Sequence, residues 1–162
     1  MKFIIPSILT VLALVSTAPV AFASDSVPFN GSATGTFAFT SATTVALTGT
    51  GHYQHLGKST FAAAATITGV AACGGFTATE KDTYTGAKGD KVFTTANISL
   101  CPTSTPGVFS SVGTFTITGG TGRFEDASGS GTLRALVTFT SPTSGTFSGH
   151  TAGTISFEGE EE

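Results

Sequence analysis

Apolar and hydroxyl-bearing side chains alternate with a period of two residues along most of the chain. Successive side chains of a β-strand point to opposite faces, so this period predicts strands with one apolar and one polar face. Such strands are typical of an antiparallel sheet with one side in solvent. We predict eight strands, over residues 34–40, 44–52, 59–69, 74–84, 91–101, 108–118, 130–140 and 146–157.

The positions of the phenylalanines support this alternation. Of the 12 phenylalanines after residue 23, nine lie on the face that we predict to be inward, and only Phe29, Phe93 and Phe124 do not. Random placement divides them about evenly between the two faces. One face of the predicted sheet is therefore buried.

Eight strands with short connections and no crossover helix predict an all-β fold, a single antiparallel eight-stranded barrel of the calycin-like type. A two-sheet β-sandwich is the alternative. A barrel of this size is filled by side chains or holds one small ligand. The inward face also carries many small residues, which we interpret as allowing curvature rather than leaving a cavity. They are Gly49, Gly51, Ala63, Ala65, Ala78, Ala96, Ser111, Gly113, Gly131, Gly149 and Gly153.

The charge content is low. Charged residues are 10% of the chain and the net charge is −3, so the basic surface that nucleic-acid binding needs is absent. The three histidines do not have the spacing of a metal site. We therefore predict no nucleic-acid partner, no metal and no cofactor for this threonine-rich chain.

Residues 1–23 have the features of a cleaved signal peptide: Lys2, an apolar run, and Ala21-Phe22-Ala23 before the cleavage point. We assign 24–31 to an N-terminal segment, 32–157 to the barrel and 158–162 to an acidic tail. No later apolar segment is long enough to span a membrane, so we predict no membrane insertion after cleavage. The expected location is secreted or extracytoplasmic.

Cys73 and Cys101 are the only cysteines, and an even count in an exported chain predicts a disulfide. A hairpin loop centred on Ala87 pairs Ala78 with Ala96, and the same register places the two cysteines opposite each other. Directly opposed β-carbons lie about 4.5–5.5 Å apart, close to the distance that a disulfide needs.

The segment from Thr116 to Gly129 contains Gly119-Gly120-Thr121-Gly122-Arg123-Phe124 followed by Ala127-Ser128-Gly129. It resembles the turn between two late strands of the allene oxide cyclase and dirigent-like barrels. The earlier segment from Gly49 to Lys58 is similar to one in small exported bacterial proteins of the same barrel type. The resemblance implies the barrel fold. It does not extend to the functional residues of the cyclases, so their activity does not carry over.

The glycines of this turn permit backbone conformations that other residues avoid. We expect Phe124 to pack against the barrel end, and Arg123 to pair with Glu125 or Asp126.

Four residues are weak candidates for chemistry. Glu80 and Asp82 fall on the inward face, where a buried carboxyl group acts as an acid or base. Their position near a hairpin favours solvent exposure at the barrel mouth instead. Tyr53 and Tyr84 lie near strand ends, which favours packing at the rim over a role in lining a ligand mouth.

Three functions follow from these features. The first is a non-enzymatic exported barrel that binds a small apolar molecule. The second is a cyclase, isomerase or dirigent-type enzyme that uses Glu80, Tyr53 or Tyr84 inside the barrel. The third is a structural or surface-interaction module. A homo-oligomer that buries Phe93 or the patch of Ala62 and Ala64 is a further alternative.

Overall fold

The computed structural model describes residues 25–157. The predicted signal peptide, its cleavage point before Ser24 and the acidic tail at 158–162 lie outside this part of the chain. The strands are β1 (Val27–Phe39), β2 (Thr44–Tyr53), β3 (Gly57–Val70), β4 (Phe76–Gly86), β5 (Lys91–Pro102), β6 (Val108–Gly120), β7 (Ser128–Ser141) and β8 (Ser144–Ser156).

The strands form a closed barrel. Each pairs antiparallel with the next along the chain, and β8 pairs with β1. The predicted eight-stranded antiparallel barrel is confirmed, and the sandwich alternative is wrong. Within residues 25–157, every strand therefore has a neighbouring strand on both sides.

Strand β1 is longer than predicted. This strand begins at Val27 rather than at Thr34, although Pro28 and Gly31 usually weaken strands. As a result Phe29 lies on the same face as Phe37 and is fully buried. The expectation that Phe29 points away from the core is therefore wrong.

The two ends of the barrel differ. The closed end carries the loops 54–56, 87–90 and 121–127, and the open end carries 40–43, 71–75, 103–107 and 142–143. Most large buried side chains form a core toward the closed end: Phe29, Tyr53, Leu56, Phe61, Tyr84, Val92, Phe115, Ile117, Phe124 and Ile155.

Inward glycines make room for aromatic rings. A Cβ atom on Gly131 would lie 2.7 Å from the ring of Phe115, and one on Gly153 would lie 3.0 Å from it. A Cβ atom on Gly145 would similarly lie 2.7 Å from the ring of Phe37. Glycine therefore occupies these inward positions because an aromatic ring lies over each of them.

The turn from Gly119 to Phe124 is part of the closed end. Gly119 and Gly122 have φ values of 130° and 60°, which favour glycine. Phe124 is fully buried, and its ring centroid lies 4.9 Å from that of Phe157. The expected packing of Phe124 against the barrel end is confirmed, and it belongs to the core despite its place outside the alternation.

Gly120 and Thr121 hold this turn against β5. The hydroxyl oxygen of Thr121 accepts a hydrogen bond of 3.0 Å from the backbone N–H of Lys91. A Cβ atom on Gly120 would lie 2.1 Å from the carbonyl oxygen of Lys91, so only glycine fits this close approach.

Arg123 joins three parts of the closed end. Its guanidinium donates a hydrogen bond to the carbonyl oxygen of His55 and lies 4.0 Å from the carboxylate of Asp90. The expected pairing with Glu125 or Asp126 is therefore wrong. Both of those residues are exposed, whereas the barrel brings the β4–β5 loop beside the guanidinium.

The disulfide between Cys73 and Cys101 is confirmed, with Cα atoms 5.6 Å apart. The register used to predict it is wrong, because Ala78 lies opposite Ile98, two residues beyond its predicted partner. The hairpin loop is centred one residue later, on Lys88. Cys73 lies in the turn before β4 and not in the β4–β5 ladder. The path of this turn brings Cys73 beside Cys101. The disulfide is compatible with a location outside the cytoplasm.

Candidate ligand cavity

A cavity of about 130 Å³ occupies the half of the barrel nearer the open end. Its wall is almost entirely apolar and includes Phe37, Leu47, Ile67, Ile98, Val137 and Phe139. Phe76 lines the cavity at the mouth and is 41% exposed, so the apolar wall continues to solvent. The interpretation of the small inward residues as serving curvature alone is therefore wrong, since Ala65 and Ala78 leave part of this volume free.

A small group of polar side chains lies where the cavity meets the closed-end core. We call this group the polar floor and define it as Tyr53, Glu80, Asp82, Tyr84 and Thr151. The strand period brings Glu80, Asp82 and Tyr84 inward from β4, Tyr53 from β2 and Thr151 from β8.

Glu80 and Asp82 are buried, with 8% and 4% of their surfaces exposed. The expectation that solvent surrounds them at the barrel mouth is wrong. The β4–β5 hairpin lies at the closed end, and the buried rings of Tyr84 and Tyr53 cover the carboxyl groups from that side. The inward orientation predicted from the alternation is nevertheless confirmed.

Tyr53 and Tyr84 are buried in the core and do not pack at an exposed rim, so that interpretation is wrong as well. Their ring centroids lie 4.6 Å apart, and the rings of Phe29 and Phe61 pack against them. Strand-end residues are exposed in an open sheet, but here the cap of the closed end covers them.

Asp82 has one satisfied and one unsatisfied oxygen. The hydroxyl of Thr94, directly across the ladder on β5, donates a hydrogen bond of 2.6 Å to Oδ2 of Asp82. Among residues 25–157, the buried side-chain atoms without a partner are Oδ1 of Asp82 and Oγ1 of Thr151. Thr94 and Thr151 are not among the residues that we predicted. The signal for both was a hydroxyl group at an inward position of an apolar face.

The two carboxyl groups differ in pKa because their surroundings differ. Burial raises the pKa of Glu80 from 4.5 to about 8, and the nearby Asp82 carboxylate adds to the increase. Burial also raises the pKa of Asp82 from 3.8 to about 6, against the hydrogen bond from Thr94, which lowers it. Near pH 7 the pair therefore holds one proton on Glu80 and one negative charge on Asp82.

The two tyrosines remain neutral. Burial, with a further effect of the Asp82 carboxylate, raises the pKa of both Tyr53 and Tyr84 above the usual value of 10. Their hydroxyl groups are hydrogen-bond donors rather than anions at any ordinary pH.

Cations are scarce around the cavity. Arg134 and His150 border its wall, but both are exposed on the outward faces of β7 and β8. In the part of the chain that the structure describes, no group of three or more His, Cys, Asp or Glu side chains is arranged to hold a metal ion. Within the same residues, no helix has the length and hydropathy to cross a membrane.

Comparison with known proteins found no matching family model, no matching curated protein and no matching solved structure. The resemblance of the 116–129 segment to allene oxide cyclase and dirigent-like barrels therefore stays a prediction. That segment lies at the closed end, on the opposite side of the core from the cavity mouth.

Proposed function

We propose that this barrel binds a small, mainly apolar molecule that enters through the open end. The observation that carries the proposal is the asymmetry of the interior: rings fill the closed half, whereas an apolar volume of about 130 Å³ is free in the open half. Binding sites for small molecules are typically apolar concavities with a few converging polar groups.

The cavity volume limits the size of the ligand. A cavity of about 150 Å³ lined by apolar side chains holds one benzene molecule. The volume here, about 130 Å³, fits one ring of that size or the end of a longer chain that extends through the mouth. The ligand is therefore a small ring compound or a molecule with a slender apolar end.

A pair of neighbouring alanines on β3 tests this proposal. Ala65 faces the cavity and Ala64 is exposed on the outside, so methionine fills the cavity only at residue 65. We expect toluene at ten times its Kd to stabilise the wild-type protein by about 1.4 kcal/mol in thermal unfolding. Ala65→Met should lose this stabilisation and Ala64→Met should keep it. Equal stabilisation of all three proteins would contradict the proposed site.

Native mass spectrometry of protein purified from its own host tests which natural ligand the cavity holds. An additional mass that leaves on denaturation would give the ligand class.

We also propose that the chain is exported, in line with the predicted signal peptide and the disulfide. N-terminal sequencing of the mature protein tests this, with Ser24 as the expected first residue.

A second candidate function is proton transfer on a ligand in the cavity, and the carboxyl pair favours it. One carboxyl group that holds a proton beside one that is ionised is the arrangement of a general acid and a general base. In an isomerisation, Asp82 would take a proton from a ligand carbon and Glu80 would give its proton to another ligand atom. Transfer of a proton from Asp82 to Glu80 then restores the starting state.

The conversion of 3-cyclohexen-1-one to its conjugated isomer, followed by ultraviolet absorbance, tests this candidate. We expect Glu80→Gln to lose turnover and to keep toluene binding. Equal rates in the wild-type protein and in Asp82→Asn would remove proton transfer from consideration.

A further inference from the structure

The polar floor contains an unmet hydrogen-bonding demand. Oδ1 of Asp82 and Oγ1 of Thr151 are buried without a partner, and both residues line the cavity. A buried acceptor without a partner is costly, and the cost is greater when the group is charged. A structure that retains such atoms at the bottom of an open cavity is suited to receive the missing partner from a ligand.

The partner that Oδ1 of Asp82 needs is a hydrogen-bond donor, whereas Oγ1 of Thr151 can take a donor or an acceptor. A carboxylate oxygen only accepts hydrogen bonds, and a hydroxyl group both accepts and donates. A ligand hydroxyl or amino group that reaches the floor can donate a hydrogen bond to Oδ1 of Asp82. The Thr151 hydroxyl can then make a second hydrogen bond to the same ligand group. The aliphatic or aromatic part of the same molecule then lies against the apolar wall.

The charges around the cavity exclude the opposite chemistry. The groups that face Asp82 are Glu80, Tyr53, Tyr84 and Thr94, and none of them is a cation. The four loops of the open end, 40–43, 71–75, 103–107 and 142–143, contain no Asp, Glu, Lys or Arg. Arg134 borders the cavity wall from the outward face of β7 and is exposed. A ligand carboxylate or phosphate at the floor would meet a negative charge and find no positive one.

We infer that the cavity selects molecules whose apolar body ends in a hydroxyl or amino group, which is inserted first, and that it rejects those ending in an anion. This inference rests on the proposed function and specifies the chemical class of its ligand. Alcohols and amines share the donor chemistry that Asp82 requires, and the experiment distinguishes between them.

Four probes with the same ring and different end groups test the inference: toluene, benzyl alcohol, benzylamine and benzoate. Binding to the purified, disulfide-bonded protein is measured by isothermal titration calorimetry at pH 7. A hydrogen bond to a charged group favours the alcohol or the amine over toluene by about tenfold or more. Benzoate should not bind. Tighter binding of the amine than of the alcohol would assign an ammonium ligand, and the reverse order a neutral alcohol.

Substitutions at the floor link the preference to its residues. We expect Asp82→Asn to lose most of the preference for benzylamine and to keep toluene binding. Asp126→Asn is the matched control, because Asp126 is exposed in the loop at the closed end. Thr151→Val, which removes only the hydroxyl, should weaken benzyl alcohol binding and serves if Asp82→Asn fails to fold.

The possible results separate this inference from the proposed function. Toluene binding with no gain for benzyl alcohol or benzylamine, or benzoate binding as tight as theirs, would overturn the donor preference and leave a cavity for apolar molecules. Failure of all four probes to bind the wild-type protein would overturn the proposed function itself.

Discussion

Glu80 is a carboxyl group in a place where a negative charge is costly. Its surface is 8% exposed, the ionised Asp82 follows two residues later on the same face, and both point into an apolar barrel. Asp82 has the hydrogen bond from Thr94 to support its charge. Glu80 therefore keeps its proton at pH values where an exposed glutamate has lost it.

Because the folded state holds this proton more tightly than the unfolded state, stability depends on pH. We expect the free energy of unfolding to be highest below about pH 4.5 and to fall as the pH rises to about 8, the two pKa values of Glu80. The loss is on the order of 5 kcal/mol. Glu80→Gln should remove most of this dependence and leave the smaller part of Asp82, between about pH 3.8 and 6.

Urea unfolding at pH 5, 7 and 9 measures this effect. Glu125→Gln is the control, because Glu125 is exposed at the closed end. A wild-type stability that increases from pH 5 to pH 9 would contradict the buried, neutral state of Glu80.

Strands β6, β7 and β8 pack through an aromatic ring that lies over two paired glycines. The ring of Phe115 on β6 lies over Gly131 on β7 and Gly153 on β8, which are directly paired. The two glycine backbones approach closely, and the ring covers the space that side chains would otherwise fill. The packing of these three strands therefore depends on the absence of Cβ atoms.

Gly131→Ala should destabilise the protein by about 2–3 kcal/mol or more. The new Cβ atom would lie 2.3 Å from the carbonyl oxygen of Ala152 and 2.7 Å from the Phe115 ring. Gly69→Ala is the control, since its Cβ atom would meet only the Thr77 hydroxyl, at 3.3 Å. Urea unfolding compares the two variants, and an equal, small effect of both would show that the ring can move aside.

The packed core and the free volume of the barrel lie toward opposite ends. The aromatic core, the Arg123 contacts and the Phe124 cap lie toward the closed end, whereas the free volume lies toward the open end. The disulfide is the covalent link at the open end, between the β3–β4 turn and the end of β5. It strengthens the part of the molecule where the side-chain packing is incomplete.

Replacing both Cys73 and Cys101 with serine should lower the free energy of unfolding by about 3 kcal/mol, since a loop with a sequence separation of 28 is no longer closed in the unfolded chain. The barrel should still fold, because its core lies at the other end. Thermal unfolding and circular dichroism measure the two effects. Loss of the β-sheet spectrum at room temperature would show that the fold itself depends on the disulfide.

Individual residues show how far the sequence alone leads. The period-two pattern predicted the eight strands, the inward side of Glu80 and Asp82, and the burial of Phe37 and Phe115, because strand geometry is a local property. It did not predict the burial depth of Tyr84, nor the register that places Ala78 opposite Ile98. The partner of Arg123 was also missed, because Asp90 is distant from it along the chain.

By itself, the sequence determined an antiparallel β-fold with a phenylalanine-rich interior and a threonine-rich exterior. These properties follow from side-chain alternation and composition, which each strand carries without its neighbours. Only the tertiary structure decided that one end is capped and the other open, and that Asp82 and Thr151 both line the buried floor of one cavity. Those outcomes depend on how the side chains of eight strands share one interior volume, and alternation within a single strand does not contain that information.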